Sequence, residues 1–325
     1  MIRMRKPILL TGFAVLMPVA AAAQTPPAQK PDVKPAALAT RTGTDLNVSA
    51  QHYNYTEPLG DAIDVKMTAP KVGAEYTGTV ALGDRRVWFA QLNARATGFI
   101  TNYNGSCRPW QIEPDATSPN GYKLTLGTAS PCSEGNDPDW FVEGRAIVGK
   151  DIIGSRWGAS PFTGVGLRHL SNGTTGNFNF RTDEYLYIPV GLTLRRSTSA
   201  GRVVSFNVEY DQLLRGWQKT RESVLRGGTV PATSTAPQFT IGDFKDLSFA
   251  QHSGWALRAS AALQLNRHFS IEPYYTRWRV GDSPSSEGSV GYTVNNITAR
   301  RVISYYEPLN FTNELGVKVG VHFGK

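Results

Sequence analysis

Three residue types that together can hydrolyse an ester lie close together in the middle of the sequence. His169 and Ser171 belong to the string His169-Leu170-Ser171-Asn172, and Glu184 follows shortly after it. In a strand, side chains two positions apart share a face, so His169 and Ser171 would point the same way. A serine nucleophile, a histidine base and a carboxylate that orients the histidine can carry out acyl transfer. The string also fits a polar junction between a strand and a Ser- and Gly-rich loop, and both interpretations stay open.

A second set of candidate residues consists of charges that alternate with apolar residues along the chain. A period of two puts them on the face opposite the apolar one, which predicts a charged interior. Acids and bases in the set are close to balanced. The interior is therefore either cross-linked by salt bridges or a narrow aqueous pathway with charged rings. The set comprises Glu75, Arg95, Glu143, Arg145, Arg168, Glu209, Asp211, Arg258, Glu272 and Lys318.

Strands of alternating polarity are the elements that must position these residues. The alternation is clearest near the C-terminus, where Leu315, Val317, Val319, Val321 and Phe323 all point one way. Such a strand can place its apolar face against lipid and its polar face toward a water-filled lumen. Ten strands are predicted, near residues 43–57, 70–82, 86–102, 139–150, 160–171, 183–196, 202–215, 252–265, 269–280 and 313–324.

The predicted fold class is all-β: a closed antiparallel transmembrane β-barrel of about ten strands, with short periplasmic turns and long extracellular loops. Short links near residues 83–85, 154, 197–201 and 266–267 alternate with long ones at 58–69, 103–138, 172–182, 216–251 and 281–312. An even strand count and this alternation are typical of bacterial barrels. A soluble sandwich would instead turn its polar face outward.

The N-terminus has the three parts of a secretory signal. Basic residues precede an apolar run from Ile8 to Val19, and Ala21-Ala22-Ala23 follows. We expect cleavage after Ala23, at the end of this small-residue segment. A membrane helix is disfavoured, because the apolar run is too short and is broken by Gly12 and Pro18. The predicted organisation is a signal peptide at 1–23, a flexible Pro- and Ala-rich periplasmic lead-in at 24–41, and a barrel at 42–325 in the cell outer membrane.

Charge and cysteine content limit the possible partners and cofactors. Removing the signal subtracts three bases, which leaves 34 − 3 = 31 Lys and Arg against 26 Asp and Glu. This mild, unclustered excess gives no reason to expect a nucleic-acid partner. Cys107 and Cys132 are the only cysteines, and an exported chain is predicted to join them in a disulfide. Scattered histidines predict no metal site, and no cofactor is expected.

The last strand resembles the C-terminal insertion signal that the barrel-assembly machinery reads. The resemblance rests on Gly316, Val319, Val321 and Phe323, although Gly324 and Lys325 follow the aromatic residue that is normally terminal. It implies that the assembly machinery is a partner of this chain. The predicted outer-membrane location makes outer-membrane lipid and lipopolysaccharide expected partners as well. It says nothing about the oligomeric state.

Several segments of the second half resemble an uncharacterised porin-like family of outer-membrane β-barrels from proteobacteria. They are SPFTGVGLRHLSNG (160–173), DEYLYIPVGL (183–192), VEYDQLLRGWQ (208–218), IEPYYTRW (271–278) and YYEPLNFTNELGVKVGVHF (305–323). The resemblance implies location and fold but no activity. The expected function is therefore a structural barrel, or porin-like passive passage of ions and small solutes.

Two other functions remain open at the sequence level. The His-x-Ser-Asn string is similar to that of outer-membrane lipid A deacylases, and this similarity implies that Ser171 is the nucleophile, His169 the base and Glu184 the orienting residue. The match covers little more than these residues. Alternatively, the long outer loops could form a surface-recognition site, since loops carry much of the function of a rigid scaffold.

Overall fold

Ten long strands dominate the computed structural model, which describes residues 38–59, 64–83, 87–172, 180–198 and 202–324. They are β1 (Gly43–Glu57), β2 (Val65–Leu82), β3 (Trp88–Cys107), β4 (Ser130–Lys150), β5 (Trp157–Asn172), β6 (Phe180–Ser197), β7 (Val203–Arg221), β8 (Gly254–Gln264), β9 (Phe269–Val280) and β10 (Asn310–Phe323).

These strands close into one antiparallel barrel. Each pairs with its neighbour in the sequence, from β1 with β2 through to β9 with β10. The last strand then pairs with the first, from Thr44 opposite Phe323 to Thr56 opposite Phe311. Closure leaves none of the ten strands as a free edge. The predicted fold class is confirmed.

The outward-facing side chains form an apolar surface on the barrel. Val48 and Leu92 are each 64% exposed, and Val208 is 60% exposed. The residues between them in sequence point into the lumen, as the period of two predicted. An apolar outer surface of this extent is stable when it faces lipid, which makes the barrel a transmembrane one. Among the described residues, no helix is both long and apolar enough to span a membrane.

Short and long connections alternate around the barrel. The short, periplasmic turns follow β2, β4, β6 and β8, and a two-residue strand (Ile152–Ile153) pairs with the start of β5 at one of them. Residues 84–86, which include two of the three residues of the turn predicted at 83–85, lie outside the described residues, as do 199–201 and the loop residues 60–63 and 173–179.

The three longest extracellular loops contain secondary structure of their own. A hairpin (Trp110–Pro114 and Tyr122–Leu126) follows β3, and a 3₁₀ turn (Glu222–Leu225) follows β7. Four further strands pair in the order Thr229–Val230, Phe239–Phe244, Ser286–Val294 and Ile297–Tyr305. The strand Leu247–Gln251 instead extends the barrel sheet by pairing with the outer end of β7.

These loop elements share one hydrophobic core, and together we call residues 108–129, 222–246 and 281–309 the cap. Each loop contributes buried side chains to this core, so the cap is a packed unit. Its buried members are Ile112, Leu124, Phe239, Ile241, Phe244, Val290, Tyr292, Val294 and Ala299.

The segment just before β1 is anchored at the periplasmic end of the barrel. Leu38 is fully buried, and both the amide and the hydroxyl of Thr40 donate to the Asp151 carboxylate, at 2.9 and 2.7 Å. Arg41 donates to the carbonyl of Arg267 at 2.7 Å. The predicted signal peptide and residues 24–37 of the predicted lead-in lie outside the described residues.

Candidate functional site

Ion pairs cross the middle of the lumen from wall to wall. The Glu314 carboxylate on β10 contacts Arg168 on β5 at 2.7 Å and Arg95 on β3 at 2.5 Å. In a ten-stranded barrel, β5 and β10 are five strand steps apart and therefore lie on opposite walls. Side chains from both walls thus meet at the barrel axis. Glu314 and Arg168 are fully buried there.

A second cluster joins β8, β7 and β4 at a neighbouring level. Arg258 donates to Asp211 at 2.6 Å, lies 3.3 Å from Glu209 and also pairs with Glu143. Arg145 closes the cluster at 2.5 Å from Glu209. Because acids and bases alternate in space, each charge is neutralised at short range in a water-poor interior.

Below these clusters, toward the periplasm, Lys318 bridges Glu75 at 3.0 Å and Glu272 at 3.5 Å. The structure thus places all ten lumen residues named from the sequence on the inner face. Nine of them pair with one another, whereas Arg168 pairs with Glu314. Glu314 also alternates with the outward-facing Leu315, so the period of two predicts that it faces the lumen, although it is not in the predicted charged set.

An aromatic layer covers the ion pairs on their extracellular side. Trp278 packs between Tyr185, with ring centroids 5.7 Å apart, and Tyr187, at 5.1 Å. The Arg168 guanidinium lies 4.0 Å from the centroid of Phe141. All of these rings are almost completely buried. Cation–π and ring contacts therefore fill the space that an open channel would leave for water.

Further charges, all buried except the partly exposed Arg181, lie at the extracellular end of the lumen, and sequence reasoning missed them. Lys71 on β2 pairs with Asp139 on β4 at 2.8 Å. Arg181 on β6 pairs with Glu57 at 2.7 Å and with Glu307, which lies in the segment before β10. Burial raises the pKa of Glu307 to about 8; Arg181 opposes this shift and the Glu57 carboxylate adds to it.

A polar cavity of about 260 Å³ occupies the periplasmic end of the lumen. Amide and hydroxyl side chains such as Asn47, Gln91 and Ser205 line it, and Lys318 and Glu75 lie at its inner end. A smaller cavity of about 70 Å³ follows among Arg95, Arg258 and their partners. The aromatic layer lies beyond it. Within the described residues, the lumen is therefore a vestibule that ends in a packed core.

The three candidate catalytic residues lie outside the barrel, on its lipid-facing surface. His169 on β5 and Glu184 on β6 are in register, with Nδ1 3.4 Å from Oε1. Ser171 shares the outer face with His169, next to Trp140, whose ring centroid lies 5.3 Å from that of the imidazole. Among the described residues, no hydrogen bond joins Ser171 to His169.

This outer site lies where the apolar surface ends. Val165 and Leu167, which precede His169 on the same face of β5, are 45% and 51% exposed. The site therefore lies near the boundary between the outer leaflet and its polar headgroups. No cluster of three or more His, Cys, Asp or Glu residues suited to a metal occurs in the described part of the chain.

The structure also locates the disulfide and the C-terminal signal. Cys107 and Cys132 form the predicted disulfide between the outer ends of β3 and β4, at the base of the cap. Val319, Val321 and Phe323 face outward on β10. Gly316 faces inward, where a Cβ atom would lie 2.7 Å from the Ala50 carbonyl oxygen and 2.8 Å from the Tyr274 hydroxyl, so a side chain would not fit there.

A closed antiparallel barrel with an apolar exterior, short turns at one end and long loops at the other is a transmembrane β-barrel of the outer-membrane type. No family model matches the sequence, and no curated protein is significantly similar to it.

Solved structures of outer-membrane barrels resemble the chain at low sequence identity. The outer membrane protease OmpT from Escherichia coli has a TM-score of 0.49 at 8% identity, over 87% of this chain and 98% of that one. The translocator domain of the autotransporter NalP from Neisseria meningitidis has a TM-score of 0.35 at 12% identity, over 90% and 92%. The outer membrane protein OprG from Pseudomonas aeruginosa has a TM-score of 0.26 at 8% identity, over 88% and 99%.

Proposed function

We propose that this protein is an outer-membrane barrel with a closed lumen that works at its outer surface, as a rigid support for the cap. The observation that carries the proposal is the contact of Arg168 with Glu314 across the barrel axis, at 2.7 Å. A pore wide enough for hydrated ions cannot coexist with side chains that meet at the axis. Porin-like passage would require these buried pairs to separate, which leaves charges without partners.

The cap supports the second half of this proposal. Its core joins residues from loops more than a hundred positions apart in sequence, such as Leu124 and Val290. A packed core of this kind orders the loops, and ordered extracellular loops provide a fixed surface for recognition. We therefore infer that surface recognition through the cap, and not conduction, is the role of the molecule.

Conductance in planar bilayers tests the closed lumen. We expect the wild type to give no unitary steps in several salts, and the Arg168→Ala/Glu314→Ala variant to give measurable leak, because both groups at the axis are removed together. An Arg300→Ala/Asp243→Ala variant, which removes an exposed pair of the cap, is the matched control and should be silent. Defined unitary steps from the wild type would favour passive passage and overturn the proposal.

Ester hydrolysis at the outer face is a second candidate function, and the His169–Glu184 contact favours it. In this mechanism the Ser171 oxygen attacks an acyl carbonyl carbon while its proton passes to Nε2 of His169. Glu184 holds the imidazole through Nδ1, and the alcohol leaves after taking up the proton. Water then releases the fatty acid by the same route. Acyl release from lipid A by the wild type, lost in Ser171→Ala, would support this function, and no release by either protein would remove it.

Export and insertion complete the proposal. We propose that the signal peptide is cleaved after Ala23 and that the assembly machinery recognises β10 and inserts the barrel among lipopolysaccharide. Intact-mass measurement of the protein purified from outer membranes tests the cleavage. A mass that begins at Gln24 is expected, whereas a mass that includes residues 1–23 would contradict it.

A further inference from the structure

Two arginines that are two positions apart on the outer face of β9 have no acidic partner among the described residues. Arg277 and Arg279 both point outward from β9, and among the described residues neither forms an ion pair. Arg277 lies over the ring of Phe311, 5.1 Å from its centroid. By contrast, the arginines of the lumen clusters are paired with carboxylates.

These arginines lie just above the apolar part of their strand. Below them, Ile271 and Tyr275 face outward and are 39% and 38% exposed. On the next strand, Trp255 is in register with Arg279, and Leu257 is in register with Arg277. Aromatic residues next to the end of an apolar surface mark the membrane interface. The two charges therefore lie at the level of the outer-leaflet headgroups.

A third arginine extends this surface by two strands. Arg215 points outward from β7, where a bulge between Leu213 and Arg215 interrupts the alternation, and its guanidinium lies 5.0 Å from the Trp217 ring centroid. Strands β7 and β9 are separated by two inter-strand spacings, roughly 10 Å. We call Arg215, Arg277 and Arg279 the outer basic patch.

The acidic residues nearest in sequence to Arg215 and Arg279 are Asp211 and Asp282, and both are engaged elsewhere, as is Asp246 in the loop after β7. Asp211 faces the lumen and pairs with Arg258 at 2.6 Å. Asp282, which follows β9, accepts a hydrogen bond from the Leu309 amide at 2.5 Å. Asp246 pairs with Lys219 at 2.9 Å. The patch therefore keeps a net positive charge at a surface where guanidinium groups can bind phosphate oxygens through two parallel hydrogen bonds.

We propose that the outer basic patch binds the phosphate groups of a phosphorylated glycolipid of the outer leaflet, while the apolar surface below it receives the acyl chains. The charge and the apolar surface match the two parts of such a lipid, with the aromatic residues at the level between them. This inference depends on the outer-membrane location proposed above, but not on ester hydrolysis or on a closed lumen.

Retention of lipid by the purified full-length barrel in detergent micelles tests the inference independently of its location in cells. Lipid A with its phosphates, and the same lipid after phosphatase treatment, are the probes, and bound lipid is counted by native mass spectrometry. We expect the wild type to retain phosphorylated lipid A. The Arg277→Gln/Arg279→Gln variant should retain roughly one tenth of that amount or less. Unchanged migration of the unboiled variant on gels checks that it is folded.

Arg196→Gln is the matched control. Arg196 has its guanidinium 5.0 Å from the Trp157 ring centroid at the periplasmic end, so it offers the same chemistry on the opposite side of the bilayer. Its substitution should leave retention unchanged. Two outcomes would overturn the inference. In one, the wild type retains the dephosphorylated lipid as well as the phosphorylated form; in the other, the double variant retains as much phosphorylated lipid as the wild type. Complete displacement by millimolar inorganic phosphate would show a free-phosphate site and overturn it as well.

Discussion

At the scale of single residues, Glu314 determines the charge balance at the centre of the lumen. Its two carboxylate oxygens accept from Arg95 and Arg168, and all three groups are withdrawn from water. A buried ion pair contributes little compared with a well-packed apolar replacement. Removal of one partner is costly, however, because a buried charge is left uncompensated. Glu314 compensates two such charges at once.

We therefore expect Glu314→Gln to lower the free energy of unfolding by about 3 kcal/mol or more. Urea denaturation in micelles, followed by the shift between folded and unfolded bands on gels, measures this change. Glu113→Gln is the control, since Glu113 pairs with Lys123 on the exposed hairpin of the cap and its loss should cost less than about 1 kcal/mol. Equal effects of the two substitutions would contradict the role assigned to Glu314.

The buried carboxyl of Glu307 makes stability depend on pH. Its pKa in the folded protein, about 8, lies above the value of about 4.3 expected in the unfolded chain. The folded state therefore binds the proton more tightly, and this contribution to stability is present at low pH and declines as pH rises from about 4.3 to about 8. We expect Glu307→Gln to remove that part of the decline. Unfolding midpoints of both proteins at pH 5, 7 and 9 measure this difference. The same change of midpoint with pH in the variant and the wild type would contradict the prediction.

The alternation of polar and apolar residues in the sequence could show which side chains face the lumen, but it could not show which of them form ion pairs. Lys318 and Glu272 share the inner face because each alternates with apolar residues, and this much follows from a period of two. The contact of Arg168 with Glu314 depends on barrel closure and strand register, which no local pattern contains. Lys71 and Arg181 were missed because the alternation loses contrast near the outer ends of the strands, where both faces carry polar residues.

At the scale of elements, the strands are longer on the extracellular side than the sequence suggested. Strands predicted near 43–57 and 269–280 are found at Gly43–Glu57 and Phe269–Val280. In contrast, the strand predicted near 86–102 continues to Cys107, and the one predicted near 202–215 continues to Arg221. Beyond the lipid the outward face no longer has to be apolar, so the pattern that defines the strand ends before the hydrogen bonding does.

The disulfide joins two of these extensions and should stabilise the cap more than the barrel. It links Cys107 and Cys132 across 25 residues that include the hairpin of the cap. We expect a Cys107→Ser/Cys132→Ser variant to lose about 2–4 kcal/mol of local stability. The rate of trypsin cleavage at Lys123 measures this loss and should be higher in the variant than in the wild type. Unboiled gels should still show a folded barrel for the variant. Unchanged cleavage would mean that the core of the cap holds the hairpin without the bridge.

At the scale of the whole molecule, the alternation of turn and loop lengths assigns the two ends of the barrel to opposite sides of the membrane. The cap contains most of the structured loop residues, whereas the other end has short turns and the anchored segment at Leu38–Arg41. The sequence predicted this topology because loop length is a local property. It did not predict the core of the cap, whose members come from three separate loops.

Labelling on intact cells tests this orientation. Thr235 lies exposed in the cap and Ser155 lies exposed in a short turn, so Thr235→Cys and Ser155→Cys place a thiol at opposite ends. We expect a membrane-impermeant maleimide to label the first on intact cells and the second only after the outer membrane is opened. The native disulfide leaves the wild type unlabelled as a control. Labelling of Ser155→Cys on intact cells would reverse the topology.

The location of Glu314 on the final strand has a consequence for assembly. In an open sheet, β5 and β10 would be separated by five strand spacings, roughly 24 Å. Glu314 therefore cannot reach Arg168 until β10 has docked on β1. Before that step, Arg95 and Arg168 have only the Glu143 carboxylate beside them, which is in register with both on β4. Docking of β10 on β1 supplies a second carboxylate, so the step that joins the ends of the sheet also completes the charge compensation. The contacts of Glu314 with Arg95 and Arg168 therefore form only in the completed barrel, and they favour it over any partly closed form.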